Sequence, residues 1–180
     1  VPVGGEHFVY NALCGFMVGK VLGLTAKEIQ NGISKFELTK KRMDIRVLKN
    51  GATLINDSYN ASFESMQASL KYLNGLNSKR KIAVLGDMFE LGEYTEELHR
   101  KVGEEVVKNK IDVLICCGKN AKYIVENAEK EGMNKQNIYY FESKEQVEEL
   151  VKKIWQSGDS ILFKASNGMK FFNIVENLIK

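Results

Sequence analysis

The chain has 180 residues, of which 44% are hydrophobic and 27% charged, enough for one domain of ordinary size with an appendage. Its 26 Lys and Arg against 23 Asp and Glu leave a net charge of +3, which is too small and too dispersed to indicate a nucleic-acid partner. No apolar run approaches the roughly 20 residues of a membrane span, so no membrane partner is expected. The three cysteines, Cys14, Cys116 and Cys117, lie in apolar runs without metal-ligand spacing, which favours free thiols in a reducing cytoplasm.

The first 40 residues carry a helical pattern. Apolar residues recur at helical spacing over residues 8–22, which predicts a helix. Thr25 and Glu28 have the spacing of a capping box and predict a second helix that runs to about residue 36. This helical hairpin has no strand to cover its apolar faces, so we expect it to belong to the sheet of another domain. Because the chain starts at Val1 and enters this pattern almost at once, we expect it to be a piece of a longer protein.

After a polar, basic linker at residues 38–42, the pattern changes to alternating strands and helices. Asn50-Gly51 between two β-prone runs predicts a β-hairpin. Beyond it we predict a helix that follows Ser62 and runs to about residue 73, strand 82–85, helix 95–108, strand 113–116, helix 120–131, strand 138–141, a helix capped by Ser143, strand 161–163 and a last helix from about residue 168. Such alternation predicts a Rossmann-like, doubly wound, mainly parallel α/β sheet with an N-terminal β-hairpin.

One predicted strand ends in a cluster of small hydrogen-bonding side chains. The apolar run at residues 53–55 is followed by polar residues that include Asp57, Tyr59 and Asn60. Open α/β sheets bind ligands outside the carboxyl ends of their strands, so these side chains are expected to line such a crevice. The alternative is an ordinary Asx turn between a strand and a helix, because Asn, Asp and Ser bond nearby backbone groups. The residue types and their spacing leave both interpretations open.

Several segments of the chain resemble the Mur ligases. They are Gly5-Glu6-His7-Phe8-Val9-Tyr10-Asn11, Lys41-Arg42-Met43, Asn56-Asp57-Ser58-Tyr59-Asn60-Ala61, Gly86-Asp87-Met88-Phe89-Glu90-Leu91-Gly92 and Lys164-Ala165-Ser166-Asn167-Gly168-Met169. The resemblance extends along nearly the whole chain. It implies that residues 1–40 close the central, ATP-binding domain and that residues 41–180 form the C-terminal domain.

The resemblance also implies an activity, which is the ATP-dependent addition of D-Ala-D-Ala to UDP-N-acetylmuramoyl-tripeptide through an acyl phosphate in peptidoglycan precursor synthesis. ATP and Mg²⁺ would be the cofactors, and the protein is expected to be a cytoplasmic monomer. The chain has no Gly-x-x-x-x-Gly-Lys-Ser/Thr segment to cradle a triphosphate. We therefore expect it to contain no catalytic residue and no metal ligand, and to be inactive without the rest of the protein.

The same resemblance implies roles for individual residues. Asn11 would hydrogen-bond adenine, Arg42 would bind an ATP phosphate, and Asp57 would accept hydrogen bonds from the ribose hydroxyls. The substrate-side candidates are Tyr59, Asn60, Lys164 and Ser166. From residue type alone, Arg42 is more simply a solvated charge of the linker. The chain departs from the family pattern at Phe8, Phe63 and Asn167, where Asn, Pro and Arg are usual.

Asp87 and Glu90 suggest two interpretations. They could be paired acids for proton transfer or for a metal. A structured loop, whose glycines allow positive φ and whose acids satisfy nearby amides, explains them better.

Two other classes of protein were compared with the chain. A receiver domain is also doubly wound and has an Asp and a Lys at strand ends, as Asp57 and Lys164 are. It needs an acidic pair after its first strand, and the chain has none there. A stand-alone, non-catalytic nucleotide-binding module would use a Gly-x-Gly-x-x-Gly or a triphosphate-binding loop, and neither is present.

Overall fold

The computed structural model describes Pro2 and residues 6–37 and 41–179, with the side chains of Glu6 and His7 excepted. The chain divides into two compact units, residues 1–39 and 40–180. Gly5 of the first motif and residues 38–40 of the predicted linker lie outside the described residues. The assignment of the first unit to a central domain stays a prediction.

The first unit is the predicted helical hairpin. It consists of α1 (Glu6–Val21) and α2 (Ala26–Ser34). The capping box is confirmed, because Thr25 Oγ1 accepts a hydrogen bond from Glu28 N at 3.3 Å while Glu28 Oε2 accepts one from Thr25 N at 2.8 Å. The second helix ends at Ser34, slightly before the predicted position.

The two helices of this unit touch each other closely but leave much of α1 uncovered. A Cβ at Gly19 would lie 2.7 Å from Ile29 Cγ1, so a glycine is what permits the contact. The exposed large apolar residues of α1 are Val9, Tyr10, Leu13, Met17, Val18 and Val21. Two helices alone cannot cover such surfaces, as expected for elements that pack against a sheet.

The second unit is a six-stranded sheet in the order β1-β2-β6-β3-β4-β5. Its strands are β1 (Asp44–Val47), β2 (Thr53–Asn56), β3 (Arg80–Gly86), β4 (Val113–Cys117), β5 (Ile138–Phe141) and β6 (Asp159–Lys164). The predicted β-hairpin is confirmed, because β1 and β2 are antiparallel and Gly51, at φ +83°, lies in the turn that joins them. The other pairs are parallel. Strands β4 and β6 are buried along their whole length, as is usual for central strands covered on both faces.

Helices cover both faces of the sheet. They are α3 (Phe63–Gly75), α4 (Thr95–Lys108), α5 (Lys122–Lys130), α6 (Lys144–Ile154) and α7 (Phe171–Ile179). The contacts of α4 with α3 and α5 define one layer, and the contact between α6 and α7 defines the other. This is the doubly wound arrangement that the alternating pattern predicts. Among the described residues, none of the helices is long and apolar enough to cross a membrane.

Two helix starts differ from the prediction. Ser143 precedes α6, but its hydroxyl donates to Glu145 Oε2 at 2.6 Å and caps no backbone amide. A 3-10 turn at Asn167–Met169 and the left-handed residue Lys170, at φ 55°, come before α7. The last helix therefore begins at Phe171, later than the predicted start near residue 168.

Candidate functional site

The carboxyl ends of the parallel strands meet at one edge of the sheet. Asp57 follows β2 directly, and Lys164 is the last residue of the neighbouring strand β6. Gly86 ends β3 on the other side of β6, and Gly118 follows β4. All four residues therefore lie at the carboxyl edge of the sheet, as predicted for Asp57 and Lys164.

Strand β6 lies where the helices change face. The helices that follow its neighbours β2 and β3 are α3 and α4, which pack together in one layer, whereas α7 follows β6 and packs with α6 in the other layer. Connections that diverge in this way leave a crevice outside the carboxyl ends of the strands. The residues around the end of β6 therefore form the candidate site.

The Asp57 carboxylate accepts three hydrogen bonds, and the residue is only 8% exposed. Its Oδ1 accepts from Met43 N at 3.2 Å, and its Oδ2 accepts from Ser69 Oγ at 2.7 Å and from Lys164 Nζ at 2.5 Å. Hydrogen bonds to an ionised group are stronger than those between neutral groups. The carboxylate therefore joins the segment before β1, helix α3 and strand β6.

The Asx turn that sequence reasoning left open is also present, one residue earlier. Asn56 Oδ1 accepts hydrogen bonds from Ser58 N at 3.3 Å and from Ser58 Oγ at 2.6 Å. Helix α3 then starts with a capping box, in which Ser62 Oγ accepts from Ser65 N and Ser65 Oγ accepts from Ser62 N. The chain thus begins this helix without the Pro that the family pattern has at Phe63.

Lys164 is buried, with 2% of its surface exposed. Besides Asp57, its Nζ donates to the backbone oxygen of Asn60 at 3.3 Å. Burial lowers the pKa of Lys164, the Asp57 carboxylate raises it, and the charge of Arg42 lowers it further, with a net lowering. The ammonium of Lys164 is thus held by the Asp57 carboxylate. The role of Lys164 on the substrate side stays a prediction.

Residues 41–43 cross this edge in a strained conformation. Lys41 has φ 71° and Met43 has φ 46°, values that are uncommon for residues other than glycine. The backbone oxygen of Lys41 accepts a hydrogen bond from Tyr59 N at 3.0 Å. The guanidinium carbon of Arg42 lies 4.2 Å from the centroid of the Tyr59 ring, a cation–π contact. Arg42, Tyr59 and Asp57 are therefore brought together.

A second cluster lies at the carboxyl end of β3. The Oδ1 atom of Asp87 accepts hydrogen bonds from Asn120 N at 3.0 Å and Ala121 N at 2.7 Å. This confirms for Asp87 the interpretation that the acids of this loop satisfy nearby amides. Glu90 is exposed at φ 64° and has no hydrogen bond or ion pair within the described residues. Nor does the described part of the chain contain a group of three or more His, Cys, Asp or Glu placed to hold a metal ion.

Ser166 connects the loop around Asp87 and Phe89 to the end of β6 through hydrogen bonds. Its N–H donates to the backbone oxygen of Asp87 at 3.0 Å, and its Oγ accepts from Phe89 N at 2.8 Å. Ser166 is buried, so its side chain is already used inside the protein. Its predicted role on the substrate side is not tested by this geometry.

His99 supports the same loop from helix α4. Its Nε2 accepts a hydrogen bond from Met88 N at 3.0 Å, and its Nδ1 lies 2.6 Å from the backbone oxygen of Thr95. These two partners place the proton on Nδ1, because Nε2 must accept. Burial lowers the pKa of His99. The geometry makes His99 a support for the loop.

Asn11 belongs to the first unit. Its exposed side chain lines a groove of about 220 Å³ on the helical hairpin. The other lining residues are Phe8, Ala12, Gly15, Gly32, Ile33 and Phe36. An apolar groove with one amide suits a flat, partly polar ring. Arg42 and Asp57 belong to the second unit, so the three predicted nucleotide contacts are divided between the two units.

Sequence reasoning missed two of the three groups that hold Asp57. Ser69 lies inside helix α3 without any motif around it, and the Met43 donor is a backbone amide. Neither carries a signal that residue type or spacing would reveal. Both become visible only when the sheet edge, the helix and the segment before β1 are placed together.

Solved structures share this architecture. The chain is similar to MurF from Acinetobacter baumannii, with a TM-score of 0.85 and 25% identity over 99% of this chain and 39% of that one. It is also similar to MurF ligase from Thermotoga maritima in complex with ADP, with a TM-score of 0.73 and 28% identity over 90% of this chain and 35% of that one.

Sequence relatives point the same way. The UDP-N-acetylmuramoyl-tripeptide--D-alanyl-D-alanine ligase of Bacillus subtilis is 35% identical over 100% of this chain and 39% of its own length. The protein of the same name from Synechocystis is 32% identical over 99% of this chain and 38% of its own length. The chain thus spans about two fifths of the relatives that it matches. The family model for the Mur ligase, glutamate ligase domain, matches residues 41–167, and the chain therefore belongs to the Mur ligase family.

Proposed function

We propose that this chain is the C-terminal part of a ligase that uses ATP to join D-Ala-D-Ala to UDP-N-acetylmuramoyl-tripeptide. The observation that carries the proposal is the match of two relatives with that name over 99% and 100% of this chain. The full-length protein would work as a monomer in the cytoplasm during peptidoglycan precursor synthesis.

In this proposal, residues 1–40 close the central, ATP-binding domain and residues 41–180 form the C-terminal domain. The uncovered apolar residues of α1 support the first part, because they need a surface to pack against. The complete α/β unit after residue 40 supports the second part.

The chemistry would proceed in two steps. A terminal carboxylate oxygen of the tripeptide attacks the γ-phosphorus of ATP, the bond to the β,γ-bridging oxygen breaks, and ADP leaves with its electron pair, so that the carboxylate becomes an acyl phosphate. The amine of D-Ala-D-Ala then attacks the acyl carbon, the amide bond forms, and inorganic phosphate leaves with the electron pair of the broken C–O bond. The phosphoryl transfer depends on positioned cations and backbone amides. In this proposal, the triphosphate loop and the metal ligands would lie in another part of the full-length protein.

The nucleotide contacts of this chain would hold the ligand from outside that centre. Asn11 would bind the adenine, Asp57 would bind the ribose, and Arg42 would bind a phosphate. In this structure the Arg42 guanidinium stacks over the Tyr59 ring. Its N–H donors could bind two oxygens of a phosphate group at the same time. Of the substrate-side candidates, Tyr59 and Asn60 have exposed side chains and are the better placed to contact a ligand directly.

The test is a phosphate-release assay on the full-length protein. Release should require UDP-N-acetylmuramoyl-tripeptide and D-Ala-D-Ala together, and its absence with a folded protein would refute the proposal. Arg42→Ala should lower kcat/KM for ATP about ten- to a hundred-fold, the effect of losing a charge-assisted contact. Arg46→Ala is the matched control, because Arg46 is a nearby arginine that pairs with Asp44 and Glu176 on the surface.

The 180-residue chain alone should neither hydrolyse ATP nor use D-Ala-D-Ala. Its predicted nucleotide contacts do not replace the amide cradle, lysine and metal that stabilise phosphoryl transfer. Calorimetric titration with Mg-ATP and a phosphate-release assay measure this. Tight binding, or phosphate release that depends on the dipeptide, would show that a complete site lies within these residues.

A further inference from the structure

Arg42 differs from the other arginines of the chain in the group that holds its guanidinium. Arg46, Arg80 and Arg100 each form an ion pair with at least one carboxylate. Arg42 has no ion pair and no side-chain hydrogen bond within the described residues. Its guanidinium carbon lies instead 4.2 Å from the centroid of the Tyr59 ring.

We propose that Tyr59 is a positioning residue for Arg42, and that its ring holds the guanidinium where it meets a phosphate of the nucleotide. This inference rests on the proposed function, because it specifies how the phosphate contact of the same site is prepared. A carboxylate partner would take up the N–H donors of the guanidinium in charge-assisted hydrogen bonds. An aromatic face attracts the cation through the ring quadrupole and leaves those donors to a ligand. The Tyr59 ring would thus serve the arginine rather than the dipeptide substrate.

The backbone on both sides of Arg42 is bonded to the loop that carries Tyr59. The backbone oxygen of Lys41 accepts a hydrogen bond from Tyr59 N at 3.0 Å, and Met43 N donates to Asp57 Oδ1 at 3.2 Å. Lys41 and Met43 have φ values of 71° and 46°, and such strained residues persist only where the surrounding structure holds them. The position of Arg42 over the ring is therefore set by the fold on both sides of it.

The cations next to Arg42 favour an anionic ligand at this position. Lys41 is also held by an aromatic face, because its Nζ lies 3.4 Å from the centroid of the Phe172 ring. The charge of Arg42 acts on buried Lys164 and lowers the pKa of that ammonium. Like charges at short range repel each other, and a bound phosphate would reduce this repulsion.

The test measures phosphate release by the full-length protein at varied ATP and at varied D-Ala-D-Ala. Tyr59→Leu removes the aromatic face and should lower kcat/KM for ATP about three- to tenfold, while KM for D-Ala-D-Ala changes less than about twofold. Tyr59→Phe keeps the ring face and should retain kcat/KM for ATP to within about twofold. Tyr123→Leu is the matched control, because the guanidinium carbon of Arg100 lies 5.0 Å from the centroid of the Tyr123 ring, away from the carboxyl edge of the sheet. It should change kcat/KM for ATP less than about twofold.

A double-mutant cycle shows whether Tyr59 acts through Arg42. In an Arg42→Ala background, Tyr59→Leu should lower kcat/KM for ATP by less than about a further twofold, because no guanidinium is left to position. An equal loss in both backgrounds, an equal loss for the Leu and Phe variants, or a raised KM for D-Ala-D-Ala with unchanged ATP kinetics would overturn the role of Tyr59. Tyr59→Gln, which also lacks a ring, repeats the test if Tyr59→Leu does not fold. A folded wild-type protein without phosphate release that depends on D-Ala-D-Ala would overturn the ligase assignment as well, whereas such release together with unchanged kinetics in Tyr59→Leu would overturn only the role of Tyr59.

Discussion

Removal of one partner of the Asp57–Lys164 pair should strongly destabilise the second unit. The two side chains are 11% and 3% exposed, and the distance from Lys164 Nζ to Asp57 Oδ2 is 2.5 Å. Asp57→Ala would leave the ammonium buried without its counterion, and removal of one partner of such a pair costs about 3–5 kcal/mol. The free energy of unfolding of a domain is only about 5–15 kcal/mol. This one substitution should therefore remove a large share of it.

A double-mutant cycle on the 180-residue chain measures the pair. Asp57→Ala, Lys164→Met and the double variant are unfolded in urea, and the fluorescence of Trp155, which packs against the core of the second unit, reports the transition. The double variant should lose less than the sum of the two single variants, with a coupling energy of about 2 kcal/mol. A neutral side chain in place of each charge removes the penalty of an unpaired ion.

The Arg80–Asp159 pair is the reference for this cycle. Asp159 is buried, but the Arg80 side chain is 33% exposed, so solvent screens the pair and its coupling should be about 1 kcal/mol or less. Additive losses at Asp57 and Lys164, or a cost of less than about 1 kcal/mol for Asp57→Ala, would show that the pair does not form in solution.

Three further predictions concern other parts of the second unit and the free thiols. Burial lowers the pKa of His99 in the folded protein, so below pH 6.5, the ordinary pKa of histidine, the unfolded chain binds a proton more readily than the folded chain does. The free energy of unfolding should therefore fall as the pH falls, and His99→Gln should reduce this pH dependence in urea unfolding. Gly118→Ala, whose Cβ would lie 2.5 Å from a carboxylate oxygen, should cost roughly 1–3 kcal/mol more than Gly132→Ala, which also has positive φ but open space. Exposed Cys14 should react quickly with a thiol reagent while the two buried thiols do not, since burial raises the pKa of Cys117 to about 11. Unchanged pH dependence, equal glycine costs or three fast thiols would contradict these expectations.

Local signals in the sequence were enough to predict the fold class. The Asn50-Gly51 turn, the capping box at Thr25 and the alternation of strands with helices each reflect a short-range preference of the backbone. Such preferences survive folding because they agree with the final architecture. At Ser143 the local prediction of a cap was wrong, because the hydroxyl donates to the nearby side chain of Glu145 and accepts from no backbone amide.

The sequence also predicted that Asp57 and Lys164 lie at the carboxyl ends of their strands. It did not predict that the two residues are neighbours. Alternation fixes the direction of parallel strands, whereas the order of the strands depends on which helix packs on which face. Only the insertion of β6 between β2 and β3 brings together two residues that are 107 positions apart in the chain. A contact of that sequence separation leaves no mark in the spacing of residues.

The network around Asp57 explains why stability and ligand contact should be linked at this position. In the proposed ligase, a ligand that contacted Asp57 would meet a carboxylate whose orientation is already set by Met43, Ser69 and Lys164. Because those bonds form during folding, the ligand does not have to order the side chain when it binds. A substitution of Asp57 would therefore change the folding equilibrium and the proposed nucleotide contact together. Ser69→Ala removes one of these donors while the charge pair stays intact, and so it would separate the two effects.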